Sequence, residues 1–181
     1  MDPADEAKVR SCIRVMADWP KAGVSFQDLS GVMADAEAFR LVIDALASHV
    51  DGAGVDLVVG IEARGFPYGA ALAHHLGAGF VTMRKPGKLP GAVYAREYEL
   101  EYGTATLELH EDAVGPGHRV AIIDDVLATG GTAGAAIDLV TRCGADVVAL
   151  VVVMDLLFLG GRAALESRGV NVQAVLTELP A

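Results

Sequence analysis

Residues 119–134 read Arg-Val-Ala-Ile-Ile-Asp-Asp-Val-Leu-Ala-Thr-Gly-Gly-Thr-Ala-Gly. The apolar run Val120–Ile123 has the length and β-branched content of a buried strand. It ends in two adjacent acids, Asp124 and Asp125, and the loop Ala128-Thr129-Gly130-Gly131-Thr132 then opens a helix predicted over about 130–143. Glycines let backbone approach a ligand closely, and a helix N-terminus offers unpaired N–H groups and a positive dipole end, so the loop suits an anion. Thr129 and Thr132 add hydroxyl donors. A carboxylate pair just before an anion cradle fits a ligand with a phosphate at one end and hydroxyls beside it. That describes a sugar phosphate.

Outward from this stretch, strand and helix patterns alternate. Residues 4–16 are predicted as a first helix, with Val9, Ile13 and Met16 on one face, closed by the turn-rich Trp19-Pro20-Lys21-Ala22-Gly23. Phe39, Val42, Ile43, Leu46 and Val50 keep helical spacing. Short apolar runs at 56–61 and 80–83 read as strands flanking a helix over 65–76. Residues 84–99, rich in Lys, Arg, Gly, Pro and Tyr, read as a long irregular lid or binding loop. The alternation of 104–109 predicts a strand beside it, and the pattern 119–124, 130–143, 146–154, 160–168, 170–176 continues strand, helix, strand, helix, strand. The fold class is therefore α/β, a mostly parallel twisted sheet flanked by helices, in a single domain over 1–181. Ligands of such sheets bind beyond the carboxyl ends of the strands. The junctions at 60–66 and 124–132 carry glycine and charge there, whereas the apolar runs 147–153 and 170–176 carry no evident chemistry.

Composition excludes several functions. A net charge of −10 argues against general nucleic-acid binding and requires that an anionic ligand be held by a local cluster of cations. The longest apolar run, from Val147 through Leu159, is broken by Asp155 and is too short to span a membrane. The acidic start, Met-Asp-Pro-Ala-Asp-Glu, lacks a signal-peptide pattern, so the expected location is cytoplasmic. Cys12 and Cys143 read as reduced structural thiols. His49, His74, His75, His110 and His118 have no zinc-ligand spacing. Gly60 and Gly65 are spaced like P-loop glycines, but Phe66-Pro67 stand where Lys-Ser/Thr would be needed. Neither a Gly-x-Gly-x-x-Gly fingerprint nor a Gly-x-Ser-x-Gly elbow is present.

Residues 122–132 resemble the phosphoribosyl-pyrophosphate motif of the type I phosphoribosyltransferases. Further collinear stretches resemble the adenine-specific members of that family. Residues 19–28 (Trp-Pro-Lys-Ala-Gly-Val-Ser-Phe-Gln-Asp) resemble their purine-site segment, and Glu62-Ala63-Arg64-Gly65-Phe66 resembles their pyrophosphate loop. Residues 84–90 and Leu100-Glu101-Tyr102-Gly103 resemble the start and end of their flexible loop.

The resemblance implies a type I phosphoribosyltransferase fold with a small hood over about 1–35 and a flexible catalytic loop over about 84–103. It implies transfer of the phosphoribosyl group to adenine, giving AMP and pyrophosphate, with Mg²⁺ held mainly by substrate and with Asp124 and Asp125 as its candidate protein ligands. Asp124 and Asp125 would bind the ribose hydroxyls, and Ala128, Thr129, Gly130, Gly131 and Thr132 the 5-phosphate. Arg64, Arg84, Lys85 and Lys88 would meet the pyrophosphate. Val24 and Ser25 would read the edge of adenine between Phe26 and Val126, Glu101 would handle the purine proton, and Tyr102 belongs to the loop. The transition state is expected to resemble an oxocarbenium ion, and a homodimer is implied because the loop's arm reaches the neighbouring site. Gln27 departs from the Arg that many adenine enzymes carry. Ala128 stands where enzymes for 6-oxopurines commonly carry Asp, which favours adenine over that alternative. A non-enzymatic phosphoribosyl-pyrophosphate sensor usually adds a DNA-binding segment, for which this chain gives no sequence signature.

Overall fold

The computed structural model describes residues 1–19, 21–23, 25–99 and 103–179. The chain divides into two compact units, Met1–Ala45 and Leu46–Ala181. In the first, α1 (Pro3–Ser11) starts at Asp2, whose carboxylate accepts the N–H groups of Ala4 and Asp5, both at 2.9 Å. The helix ends five residues before the predicted boundary. Arg14–Ala17 form β1 instead, antiparallel to β2 (Ser25–Asp28), with Met16 opposite Phe26. The apolar spacing of 9, 13 and 16 misleads because only Val9 is buried; Met16 and its neighbour Val15 face solvent. Local hairpin interactions prevail there, including an Arg14–Asp28 ion pair at 2.7 Å and an edge-on contact of the Trp19 and Phe26 rings at 4.3 Å. A short α2 (Ser30–Ala34) follows. Then α3 (Ala36–Ser48) opens on Asp35, which accepts the Ala38 N–H, and buries Val42, Ile43 and Leu46 as the periodicity requires; Val50 lies beyond its end.

The second unit carries the five-stranded parallel sheet. Its strands are β3 (Leu57–Ile61), β4 (Gly79–Met83), β7 (Arg119–Leu127), β8 (Asp146–Leu156) and β9 (Val172–Glu178), in spatial order β4-β3-β7-β8-β9. The near-continuous apolar runs of β3, β7 and β8 suit strands covered on both faces, and Val59 pairs with Ile122 at the sheet centre. Helices α4 (Gly65–Leu76), α5 (Gly131–Arg142) and α6 (Gly161–Glu166) make the crossovers after β3, β7 and β8, the last preceded by a 3-10 turn over Leu157–Leu159. Gly60 and Gly69 let α4 lie close to β3 and β4, since a Cβ at either would come within 2.8 Å of the Phe80 ring. No helix among the described residues is long and apolar enough to cross a membrane.

The segment 84–99 is not wholly irregular: Val93–Glu99 form β5, a full antiparallel partner of β6 (Thr104–His110). Its charges concealed the strand. Tyr94 and Tyr98 pack on the core, Arg142 lies 4.3 Å over the Tyr94 ring, and Arg96 pairs with Asp138 of α5 at 3.0 Å. Also, β7 does not stop at Asp124 but runs to Leu127, because its ladder with β8 continues through Val126–Met154 and Leu127–Asp155. The two acids are therefore strand residues fixed by backbone pairing.

From β3 the chain moves outward to β4, and from β7 it moves the opposite way to β8. Right-handed crossovers put the two connecting helices on opposite faces, which opens a crevice at the carboxyl ends of β3 and β7. Both glycine-and-charge loops leave from that point.

Candidate active site

Asp124 and Asp125 occupy the end of β7 nearest the crevice. The Asp125 N–H donates to Asp124 Oδ1 at 2.9 Å, and Asp125 Oδ2 lies 2.9 Å from Arg64 Nε. Asp125 is buried, while the Arg64 side chain is 48% exposed, so the guanidinium can face both the carboxylate and a ligand. Burial pushes the Asp124 carboxyl well above the usual carboxylate range, and the neighbouring charge of Asp125 pushes it the same way. Burial also raises Asp125, against the pull of Arg64. Two carboxylates held at the edge of the core, one with a single cation, attract hydroxyl donors or a second positive charge. Arg64 caps α4, and Gly65 presses on the same strand: a Cβ there would sit 2.7 Å from Ile123 O and 3.4 Å from Asp124 Oδ1.

The loop after β7 turns at Gly130, which adopts a left-handed φ of 87°, and the first α5 bond runs from Gly134 N–H to Gly130 O at 2.8 Å. The N–H groups of the first turn have no intrahelical carbonyl to meet and are available to an anion. Thr129 is exposed and Thr132 half-buried at this rim. Gly131 admits another chain segment: a Cβ would come 2.7 Å from the carbonyl oxygen of Glu99, the last residue of β5.

The predicted cations of the β4–β5 connection gather on one acid that sequence reasoning did not single out. The Glu62 carboxylate receives Lys88 Nζ on Oε1, and on Oε2 the Lys85 backbone N–H at 2.9 Å and Arg84 Nε at 3.4 Å. The Arg84 guanidinium also lies 5.9 Å from the Phe66 ring centroid, and Arg84 bridges to Glu108 through both backbone groups. Burial alone would raise the Glu62 carboxyl, but the bonds from Lys88, Lys85 and Arg84 outweigh it and hold it down at about 2. A depressed folded value means this contribution is present above the ordinary 4.5 and is lost only as pH falls toward about 2. Carbon-13 NMR should find Glu62 still ionised at about pH 4; a midpoint in the ordinary range would contradict the cluster.

Ser25 and Phe26 sit on β2 in the first unit, and Val126 is half-buried on β7 in the second. Val24, Glu101 and Tyr102 lie outside the described residues. Among the described residues no group of three or more His, Cys, Asp or Glu is placed to hold a metal ion. The structure thus joins Asp125 to Arg64, and Arg84, Lys85 and Lys88 to the loop that carries Arg64. In sequence Glu62 stands near one cation, Arg64, and its partners Arg84, Lys85 and Lys88 lie more than twenty residues on, so no local signal marked it.

The phosphoribosyl transferase domain model matches residues 33–167. The adenine phosphoribosyltransferase of Paracoccus denitrificans is 52% identical over 171 residues, covering 94% of this chain and 91% of that protein. The chain belongs to the adenine phosphoribosyltransferase family. Solved members of the family share its backbone. The enzyme of Rhodothermus marinus superposes with a TM-score of 0.92 at 46% identity, covering 98% of this chain and 100% of that one. The family member of Saccharomyces cerevisiae, solved with adenine and an imino-altritol bisphosphate, gives 0.88 at 36% identity, covering 94% and 98%.

Proposed function

We propose that this chain, acting in the cytoplasm as a homodimer, transfers the phosphoribosyl group of phosphoribosyl pyrophosphate to adenine, giving AMP and pyrophosphate. The observation that carries the reading is the convergence, at one sheet crevice, of a carboxylate pair (Asp125 buried, Asp124 half-buried), a glycine-opened helix N-terminus and a cationic loop. Membership of the family supports adenine as the acceptor, the dimer rests on the sequence resemblance, and the compartment is the expectation drawn from the sequence itself.

Asp124 and Asp125 would accept hydrogen bonds from the ribose 2- and 3-hydroxyls. The N–H groups of residues 128–132, with Thr129 and Thr132, would donate to the 5-phosphate. Arg64, Arg84, Lys85 and Lys88 would neutralise the diphosphate; Arg84 and Lys88 must then exchange Glu62 for phosphate oxygens. As the C1–O bond to pyrophosphate breaks and the bond from C1 to the purine nitrogen forms, positive charge develops on the sugar beside the two carboxylates. The purine gives up its ring N–H proton to Glu101. The resemblance assigns the base to Val24, Ser25, Phe26 and Val126, and Tyr102 to the loop.

Mg²⁺ fits this donor set. Asp124 and Asp125 supply hard oxygen ligands, and Mg²⁺ is usually held by one or two carboxylates together with substrate phosphates. When bound it would neutralise charge on the departing pyrophosphate.

Incubated with adenine, phosphoribosyl pyrophosphate and Mg²⁺, the protein should release pyrophosphate and AMP in equal amounts. Pyrophosphate without AMP would identify a hydrolase of the activated sugar, and neither product would leave only a binding protein.

A further inference from the structure

The apolar run of β8 ends in Asp155, which is fully buried and lies opposite Leu127, the residue immediately before the phosphate loop. Its Oδ2 accepts from Arg162 Nε at 2.5 Å, while Oδ1 meets no hydrogen-bond donor among the described residues. Arg162 is fixed a second time, by donating from Nη1 to the Val172 carbonyl at 2.7 Å, and reaches Glu166 at 3.3 Å. The residue before it in sequence, Gly161, forms the floor of the phosphate loop. Gly161 N–H donates to Ala128 O at 3.1 Å. A Cβ on Gly161 would come within 2.8 Å of Gly130 N and 2.9 Å of Thr129 C, and closer still to Ala128 O. From the other side, a Cβ on Gly130 would meet Gly161 Cα and O at 3.2 Å. Residues 128–130 and Gly161 are thus in backbone-to-backbone contact, with no side chain to cushion a shift.

A buried ion pair is a poor source of stability, because apolar residues of similar volume commonly serve as well. What it supplies is a fixed direction and distance between two elements. Here those elements are the end of β8, registered on the root of the loop, and the start of α6, which carries the floor of that loop.

We propose that Asp155 and Arg162 are positioning residues for the 5-phosphate: their pair sets the height of Gly161, and Gly161 sets the conformation of residues 128–130. This inference rests on the reading of that loop as the phosphate site. It assigns the pair no contact with substrate.

Calorimetry with two ligands separates the possibilities. Ribose 5-phosphate is assigned to the loop after β7, whereas pyrophosphate is assigned to Arg64 after β3 and to the cations of the β4–β5 connection. Asp155→Asn should weaken ribose 5-phosphate by about tenfold or more and leave pyrophosphate within about twofold, since small misplacements of a binding group carry penalties of that order. Because removing one partner of a buried pair can unfold a domain, Gly161→Ala provides a second route. With the ion pair intact, it should produce the same selective loss. Equal losses for both ligands, or no loss for ribose 5-phosphate in folded Asp155→Asn and Gly161→Ala, would overturn the proposal. Thr132→Val tells the two levels apart. If it weakens ribose 5-phosphate while Asp155→Asn and Gly161→Ala do not, the positioning role alone falls. If ribose 5-phosphate binding is indifferent to all three, the phosphate-site reading falls with it.

Discussion

Asp124→Asn combined with Asp125→Asn should lower affinity for phosphoribosyl pyrophosphate by about 100-fold or more and leave the protein folded. Two hydrogen bonds to charged groups are lost, each contributing on the order of 1.5–3 kcal/mol. The stability side follows from the electrostatics. Burial raises both carboxyls, and Asp125 raises Asp124 further, so the folded state disfavours the doubly ionised pair. For groups raised on folding, stabilisation is full below the ordinary carboxylate value and is lost as pH rises from there through the raised folded value, which for Asp124 lies well above the usual carboxylate range. Near neutrality the neutral amides remove that penalty, and Arg64, already half-exposed, turns to water. The melting temperature should therefore hold or rise while calorimetry shows the binding loss. Unchanged affinity would remove the pair from the ribose site, and an unfolded variant would contradict the electrostatic reading.

Glu101→Gln should reduce turnover by about 100-fold to 10,000-fold, the range for losing a general acid–base group. Phosphoribosyl pyrophosphate should bind the variant as it binds the parent, because the sugar, the 5-phosphate and the diphosphate are assigned to other residues. Glu101 follows Glu99 by two positions, and the Glu99 carbonyl oxygen approaches Gly131 at the phosphate loop. That approach supports a role for the segment at this site. Pre-steady-state measurement of AMP formation separates the proton step from product release; a chemical step at the parental rate would remove Glu101 from the role.

What could be read in the sequence follows from how far each residue's surroundings are local. β7 was legible because a strand buried on both faces must be apolar along its length, and its loop because a glycine pair flanked by threonines, opening a helix after a strand, suits an anion. Its true end at Leu127 was not, since the acids look like a terminus until β8 is seen pairing past them. β5 was hidden for a related reason: Arg96 and Arg142 are satisfied by Asp138 and Tyr94, and such pairing partners are invisible in one dimension. The first helix was overextended because a helical spacing of apolar residues does not reveal whether there is anything to bury them. At the site, Asp124, Asp125 and Arg64 were legible as types in a pattern. Glu62 and Asp155 were not, because each is paired by a cation that only the folded chain brings to it: Lys88 for one, Arg162 across the β8–α6 turn for the other.

The central claim is that this crevice joins phosphoribosyl pyrophosphate specifically to adenine. The most direct test is competition: equimolar adenine, hypoxanthine, guanine and xanthine offered together with limiting phosphoribosyl pyrophosphate and Mg²⁺, with the nucleotides separated and quantified. AMP should account for essentially all product. IMP, GMP or XMP in comparable amount would contradict the claim.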